Sequence, residues 1–192
     1  MKATRTAGGS IMDEEERFDQ YLTRLATISW PRWSDLPQFD LYMDQVVQFA
    51  NEIIIPAGLD ELTPTMVNNY VKKGIIKAPT KKKYSRSQLA NIIVVAILKS
   101  VFNLDTIASG IKYQLLNRES HQAYDAFILA FASAIQKACS DFRGEVVISG
   151  ISRGDTTKVQ SAMVNLSINA VIQKLLVETM TKLTVPAKPE KK

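Results

Sequence analysis

The tightest limit on the fold of this chain comes from where its helix breakers fall. It has eight glycines and seven prolines in 192 residues, gathered at a few points rather than recurring every eight to twelve positions. A sandwich or barrel of many short strands needs a turn at that spacing; long uninterrupted stretches favour helices. About 46% of the residues are hydrophobic and 22% are charged, enough apolar material for a packed core and too little charge for a disordered chain.

Apolar periodicity then places the helices. In residues 13–28, Phe18, Tyr21, Leu22 and Leu25 recur at i, i+3, i+4 and i+7, behind an acidic run that suits a helix N-terminus. Trp30-Pro31-Arg32-Trp33 breaks that helix and reads as a rigid apolar cap packed on the core. A second helix is expected over 40–54, capped by Asp40, striped by Tyr42, Val46, Phe49 and Ile53, and stopped by Pro56. Thr63-Pro64 starts a third, with a threonine cap and proline at the first helical position, and Gly74 ends it in a left-handed cap. Residues 75–84 hold Pro79 and three consecutive lysines, which suits a short two-stranded wing. Ser85 and Gln88 form a capping-box pattern ahead of an apolar helix over 87–101. Further helices are expected from the turn at 103–105 to 116, and over 120–139 with Tyr124, Phe127, Ile128, Phe131 and Ile135 on one face. The longest is expected over 155–183, capped by Asp155 after a loop at 144–154. The fold class is therefore all-α with a small β-wing. Its expected parts are an N-terminal helix and tryptophan-rich link (1–33), a winged helix-turn-helix (34–116), a C-terminal helical dimerisation region (117–184) and a tail (185–192).

Charge is distributed more informatively than its total of +5. Residues 62–104 contain eight Lys or Arg and no Asp or Glu, whereas residues 1–61 carry a net −6. A folded stretch with cations and no carboxylate is suited to a polyanion. The third helix presents Thr65, Asn68, Asn69 and Lys72 at i, i+3, i+4 and i+7, a wholly polar stripe opposite Met66, Val67, Tyr70 and Val71. Asparagine is a mediocre helix former, so two of them exposed in mid-helix call for a reason other than stability. Asn pairs bidentately with adenine, Thr meets the thymine methyl, and Lys reaches guanine or phosphate, so the stripe is chemically suited to the major groove. Lys72, Lys73, Lys77, Lys81, Lys82, Lys83 and Arg86 follow within fifteen residues, beside Tyr84. Such crowding of like charge is relieved when phosphates arrive and condensed counterions leave. The candidate DNA-binding residues are Thr65, Asn68, Asn69, Lys72, Lys73, Lys81, Lys82, Lys83, Tyr84 and Arg86. The asparagines are expected to read bases and the wing lysines to hold the backbone.

Three segments resemble the MerR-like helix-turn-helix proteins. Thr63-Pro64-Thr65 running to Tyr70 and Gly74-Ile75 is similar to their recognition helix. Lys83-Tyr84-Ser85-Arg86 is similar to their wing exit, and Phe102-Asn103-Leu104 with Ile107 to their turn into the next helix. Residues 33–107, with Leu41-Tyr42-Met43-Asp44-Gln45-Val46 near their start, resemble more closely a bacterial family known as domain-of-unknown-function family 1836, itself read as MerR-like. The resemblance implies a winged helix-turn-helix that binds duplex DNA. The chain departs from the MerR pattern at Asn68-Asn69, where an Arg-Tyr pair is usual, at Val71 in place of Glu, and at Val101 in place of Gly. The connection over 55–62 is also longer than a tight turn.

Other classes find less support. His121 is the only histidine and Cys139 the only cysteine, so no metal site, disulfide or His-based catalytic pair is suggested, and no cofactor is expected. Residues 1–10 lack the apolar core of a signal peptide, and no stretch reaches eighteen apolar residues; a cytoplasmic setting is expected. The expected function is a transcriptional regulator of duplex DNA, without catalysis and with any small-molecule effector left open. An adaptor that uses the same fold to bind protein is the alternative, and an enzyme with a pocket among the C-terminal helices a second rival. Val159, Met163, Leu166, Ala170 and Gln173 fall at spacings of 4, 3, 4 and 3, a heptad-like seam suited to a homodimer, with Leu175, Leu176, Met180 and Leu183 extending the apolar surface.

Overall fold

A computed structural model of the chain describes residues 10–140 and 156–184. They form seven helices and one small sheet: α1 (Ser10–Ala26), a 3-10 turn (Trp33–Asp35), β1 (Leu41–Tyr42), α2 (Met43–Ile54), α3 (Pro64–Lys72), β2 (Lys83–Tyr84), α4 (Arg86–Leu98), α5 (Leu104–Gln114), α6 (Ser120–Ser140) and α7 (Thr156–Thr184). The fold is thus mostly helical with a two-stranded antiparallel sheet. The expected loop at 144–154, the Asp155 cap and the tail at 185–192 lie outside the described residues.

The hub is α4. Eight of its residues, Leu89, Ala90 and the unbroken run from Ile92 to Ile97, are buried. A helix apolar on every side has no solvent face and must sit between others. It packs on α2, α5, α6 and α7. Its start is the expected reciprocal box: the Gln88 amide donates to Ser85 Oγ at 3.4 Å and the Ser85 amide to Gln88 Oε1 at 2.8 Å.

Around α4 a single core runs from Tyr21 to Leu176, straight across the divisions expected at 33/34 and 116/117. The N-terminal helix and the C-terminal region share it, because α1 packs on α6 and α7. Trp30 is buried edge-on against Phe131, with ring centroids 4.7 Å apart, and Phe131 stacks on Phe127 at 6.0 Å. The tryptophan-rich link is therefore core. Trp33 meets Tyr124 edge-on at 6.3 Å, and the Tyr124 hydroxyl donates to Pro31 O at 3.0 Å. All five residues expected on the inner face of α6 are buried.

Two expectations about the sheet are corrected. Asp40 does not cap α2. The chain before α2 is strand β1, and the helix starts after Tyr42, whose amide donates to Gln45 Oε1 at 2.9 Å. Tyr42 consequently lies on the exposed side of a strand, and the buried residues of α2 are Val46, Ala50, Ile53 and Ile54. Residues 75–84 also do not pair as two strands. They make one bridge, Thr80 to Lys83, and β2 pairs instead with β1 in the register Leu41 to Tyr84 and Tyr42 to Lys83. Pro79 lacks the N–H a longer ladder would need, so the partner strand comes from the segment ahead of α2.

Candidate nucleic-acid interface

The loop that delivers α3 is held from behind. Asn51, on α2, donates from Nδ2 to Leu62 O at 2.9 Å and accepts from the Leu62 amide at 2.8 Å. Ala57, Leu59 and Leu62 of this connection are buried. A connection longer than a tight turn is thereby ordered by its own packing and one side-chain clamp. Thr63 then caps α3, its Oγ1 accepting from the Met66 amide at 3.3 Å, with Pro64 in the first turn. At the other end Gly74 takes φ +71°, and the Ile75 amide donates to Tyr70 O at 3.0 Å, the left-handed cap expected there.

The two faces of α3 separate cleanly. Val67 and Tyr70 are buried, and Thr65, Asn68, Asn69 and Lys72 are all exposed. Tyr70 holds its hydroxyl in the core with no hydrogen-bond partner, and burial pushes its pKa up to about 12. Lys99 approaches α3 from the end of α4: its Nζ lies 3.2 Å from Met66 Sδ, and desolvation lowers its pKa against the opposing pull of Asp60.

Beyond α3 the chain turns tightly at Lys81 and Lys82. The Thr80 amide donates to Lys83 O at 3.0 Å and the Lys83 amide to Thr80 O at 2.9 Å. Lys81 has φ +49° and Lys82 φ +65°. Two consecutive left-handed residues are what a type I′ hairpin turn requires, a position where Asn-Gly is the favoured pair. Gln88 Nε2 ties the segment leading into this turn to α4, donating to Lys77 O at 2.8 Å and Ala78 O at 3.2 Å.

Not every candidate cation is free. Arg86 Nε donates to Pro37 O at 3.1 Å, and its guanidinium lies 5.6 Å from the centroid of Trp33. Tyr84 is 2% exposed, a core residue rather than a surface one, with burial raising its phenol pKa. Strand alternation explains the difference from its neighbour: Lys83 points outward, 4.9 Å over the ring of Tyr42. Lys72, Lys73, Lys77, Lys81 and Lys82 remain exposed. Among the described residues the ion pairs lie elsewhere, at Arg32–Asp125 and Lys174–Glu178, so these five lysines have no carboxylate partner.

A second feature escaped the sequence pattern. A cavity of about 240 Å³ opens among α4, α5, α6 and α7, mostly apolar, with Arg118 as the one charged residue lining it among the described residues. Gly110, in the middle of α5, faces it. A lone glycine inside a helical pattern was the available signal. No group of His, Cys, Asp or Glu among the described residues could hold a metal ion, and no described helix is long and apolar enough to cross a membrane.

Residues 31–127 match a family described as a domain of unknown function (DUF1836). The chain belongs to that family. The DUF1836 segment begins in the Trp30–Trp33 link and ends two turns into α6, so it holds the sheet, α2 to α5 and the five free lysines, and leaves α1 and α7 outside. No curated protein and no solved structure matches the chain.

Proposed function

We propose that this protein is a transcriptional regulator that binds duplex DNA, with α3 as a MerR-like recognition helix and the turn at Thr80–Lys83 as its wing. The observation that carries this reading is the set of five exposed, unpaired lysines beside the polar stripe of α3. Two of those lysines occupy left-handed backbone positions that Asn and Gly would fill with less strain. Thr65, Asn68 and Asn69 are placed on a helix face with no protein partner, where a base edge supplies the hydrogen bonds. The lysines take the phosphates. An adaptor surface for another protein does not require an acid-free set of this kind.

The reading includes a homodimer. The seam expected on α7 is exposed in part. Val159 and Leu166 are 47% and 40% accessible and Gln173 is exposed, while Met163 and Ala170 are half-buried. Of the residues expected to extend it, Met180 is 42% accessible while Leu175 and Leu176 are buried; Val177, 61% accessible, falls on the same line. Val159, Met163, Leu166, Ala170, Gln173, Val177 and Met180 continue the alternation of 4 and 3 along most of the helix, while Ile168, Val171, Ile172, Leu175 and Leu176 face the core. A two-fold pair along this seam would present two α3 helices to successive half-sites.

Titration of labelled duplexes at several salt concentrations tests the proposal. Five neutralised phosphates per protomer give a slope of roughly −4.5 in log K against log salt, about 500-fold between 50 and 200 mM. Asn68→Ala with Asn69→Ala should lower discrimination between preferred and random duplexes by roughly 1–3 kcal/mol per base read and leave that slope in place. Binding with no salt dependence, or capture of a protein and no duplex, would reject DNA as the ligand.

A further inference from the structure

No residue of α3 or of the lysine turn lines the cavity among α4, α5, α6 and α7. Its wall is built from Val94 and Leu98 of α4, Ile107 of α5, and Phe127 of α6, with further apolar residues between them. One side is closed by a reciprocal pair of hydrogen bonds between α5 and α7. Gln114 Nε2 donates to Gln160 O, and Gln160 Nε2 to Tyr113 O, each at 3.0 Å. That clamp ties α7 to the last turn of α5 beside the space.

Two details point to an occupant. The first is Gly110. Among ordinary residues only proline is worse in a helix interior, so a glycine there normally admits a close neighbour. Here a Cβ at position 110 would meet no atom within 4 Å, and the residue lines the cavity. The helix is weakened without any gain in protein packing. The second is Arg118. Among the described residues it is the sole charged group in the lining, half-buried, with no carboxylate beside it there and no ion pair or hydrogen bond of its own. An apolar space with one unpaired guanidinium at its wall has the chemistry for a molecule with an apolar body and an anionic end.

We infer that this cavity binds a small amphipathic carboxylate, its chain lying against Val94, Leu98 and Gly110 and its head group on Arg118. Size follows from volume. A 150 Å³ apolar cavity accommodates benzene, so 240 Å³ suits about ten non-hydrogen atoms. Octanoate has that size and is the probe.

Calorimetric titration of the full chain with octanoate, 1-octanol and octylamine tests the assignment. Octanoate binds best, octanol more weakly, and octylamine least. Arg118→Gln weakens octanoate by about tenfold or more and leaves octanol unchanged, since the substitution removes the cation and keeps the apolar wall. Gly110→Leu fills the space and abolishes binding of both. Its thermal transition stays at or above wild type, because leucine is the better helix former. Lys81→Ala with Lys82→Ala binds octanoate as wild type, which separates the cavity from attraction to the basic surface. Failure of octanoate to bind at 1 mM overturns the inference. So does equal binding of octanoate and octylamine, or octanoate binding to Gly110→Leu at wild-type strength. None of these outcomes depends on whether the protein binds DNA.

Discussion

Replacing Lys81 and Lys82 with Asn and Gly should make the protein more stable and a poorer ligand for duplex DNA. Both lysines have positive φ, +49° and +65°. The left-handed conformation brings Cβ against the following carbonyl oxygen, at about 1–2 kcal/mol per residue. Asn tolerates it and Gly is free of it, so the pair relieves roughly 2–3 kcal/mol. Gly returns about 0.5–1 kcal/mol through the extra freedom of the unfolded chain. The net gain is about 1–2 kcal/mol, and for a chain of this length each kcal/mol raises Tm by about 2–4 °C. The two hydrogen bonds across the turn are backbone to backbone, Thr80 with Lys83, and survive the change.

Relief of repulsion among Lys81, Lys82 and Lys83 would also stabilise, and has to be separated. At 1 M salt the Debye length is about 3 Å, which screens exposed charges. Urea unfolding in 1 M sodium chloride therefore isolates the backbone contribution. The same variant neutralises two fewer phosphates, so its slope of log K against log salt should be shallower by about 1.8. Lys77→Ala is the control: it neutralises one phosphate fewer, which takes about 0.9 off the slope, and its stability is unchanged. A double variant no more stable than wild type in high salt would refute the strain argument. A more stable variant with the wild-type slope would refute the phosphate assignment and leave the strain intact.

Further expectations concern α2, α3 and α7. Tyr70→Phe removes a buried hydroxyl that has no partner, so it should be neutral or stabilising by up to about 1–3 kcal/mol in urea melts. The phenol's pKa rises from 10.0 to about 12 on folding, so the neutral form is favoured in the folded state. Stability from this group is intact below pH 10 and lost as pH rises from 10 to 12, a loss that Tyr70→Phe should reduce. Asn51→Ala strands the Leu62 amide and carbonyl in the core and should cost about 2–4 kcal/mol, with hydrogen exchange rising over 55–63 before the rest of the protein. Leu166→Glu with Val177→Glu places charges on the exposed seam of α7 and should give a folded monomer by sedimentation at tens of micromolar, where the proposed reading expects wild type to be a dimer. A wild-type monomer at that concentration would dispose of the seam.

How much of this could be read from the sequence depends on the range of the interactions. The stripe of α6 and the caps at Thr63, Gly74 and Ser85 are local, set by spacings of three to five residues, and the sequence pattern locates them. The errors at Tyr84, Arg86 and Asp40 share one cause. Each residue's role is decided by a partner about forty or more positions away: Leu41 across from Tyr84, Pro37 under Arg86, and β2 drawing residue 41 into a strand. The cavity was hidden for a similar reason, since the emptiness in front of Gly110 is made by four helices together. Packing also divides the acid-free stretch of 62–104 into two parts with different causes. From Leu89 to Ile97 there is no carboxylate because all but Asn91 of these residues are buried, and a charge at any of the buried positions would be desolvated. That half says nothing about a partner. In 63–86 half of the positions are exposed and a carboxylate at those would meet no solvation penalty, yet seven cations and no acid are found. The fold takes Arg86 inward against Trp33 and Pro37 and rests Lys83 on Tyr42, which leaves five lysines whose charge the described residues do not neutralise. Burial accounts for the missing acids of α4; those missing beside α3 are not explained by burial, and it is there that the proposed anionic ligand would bind.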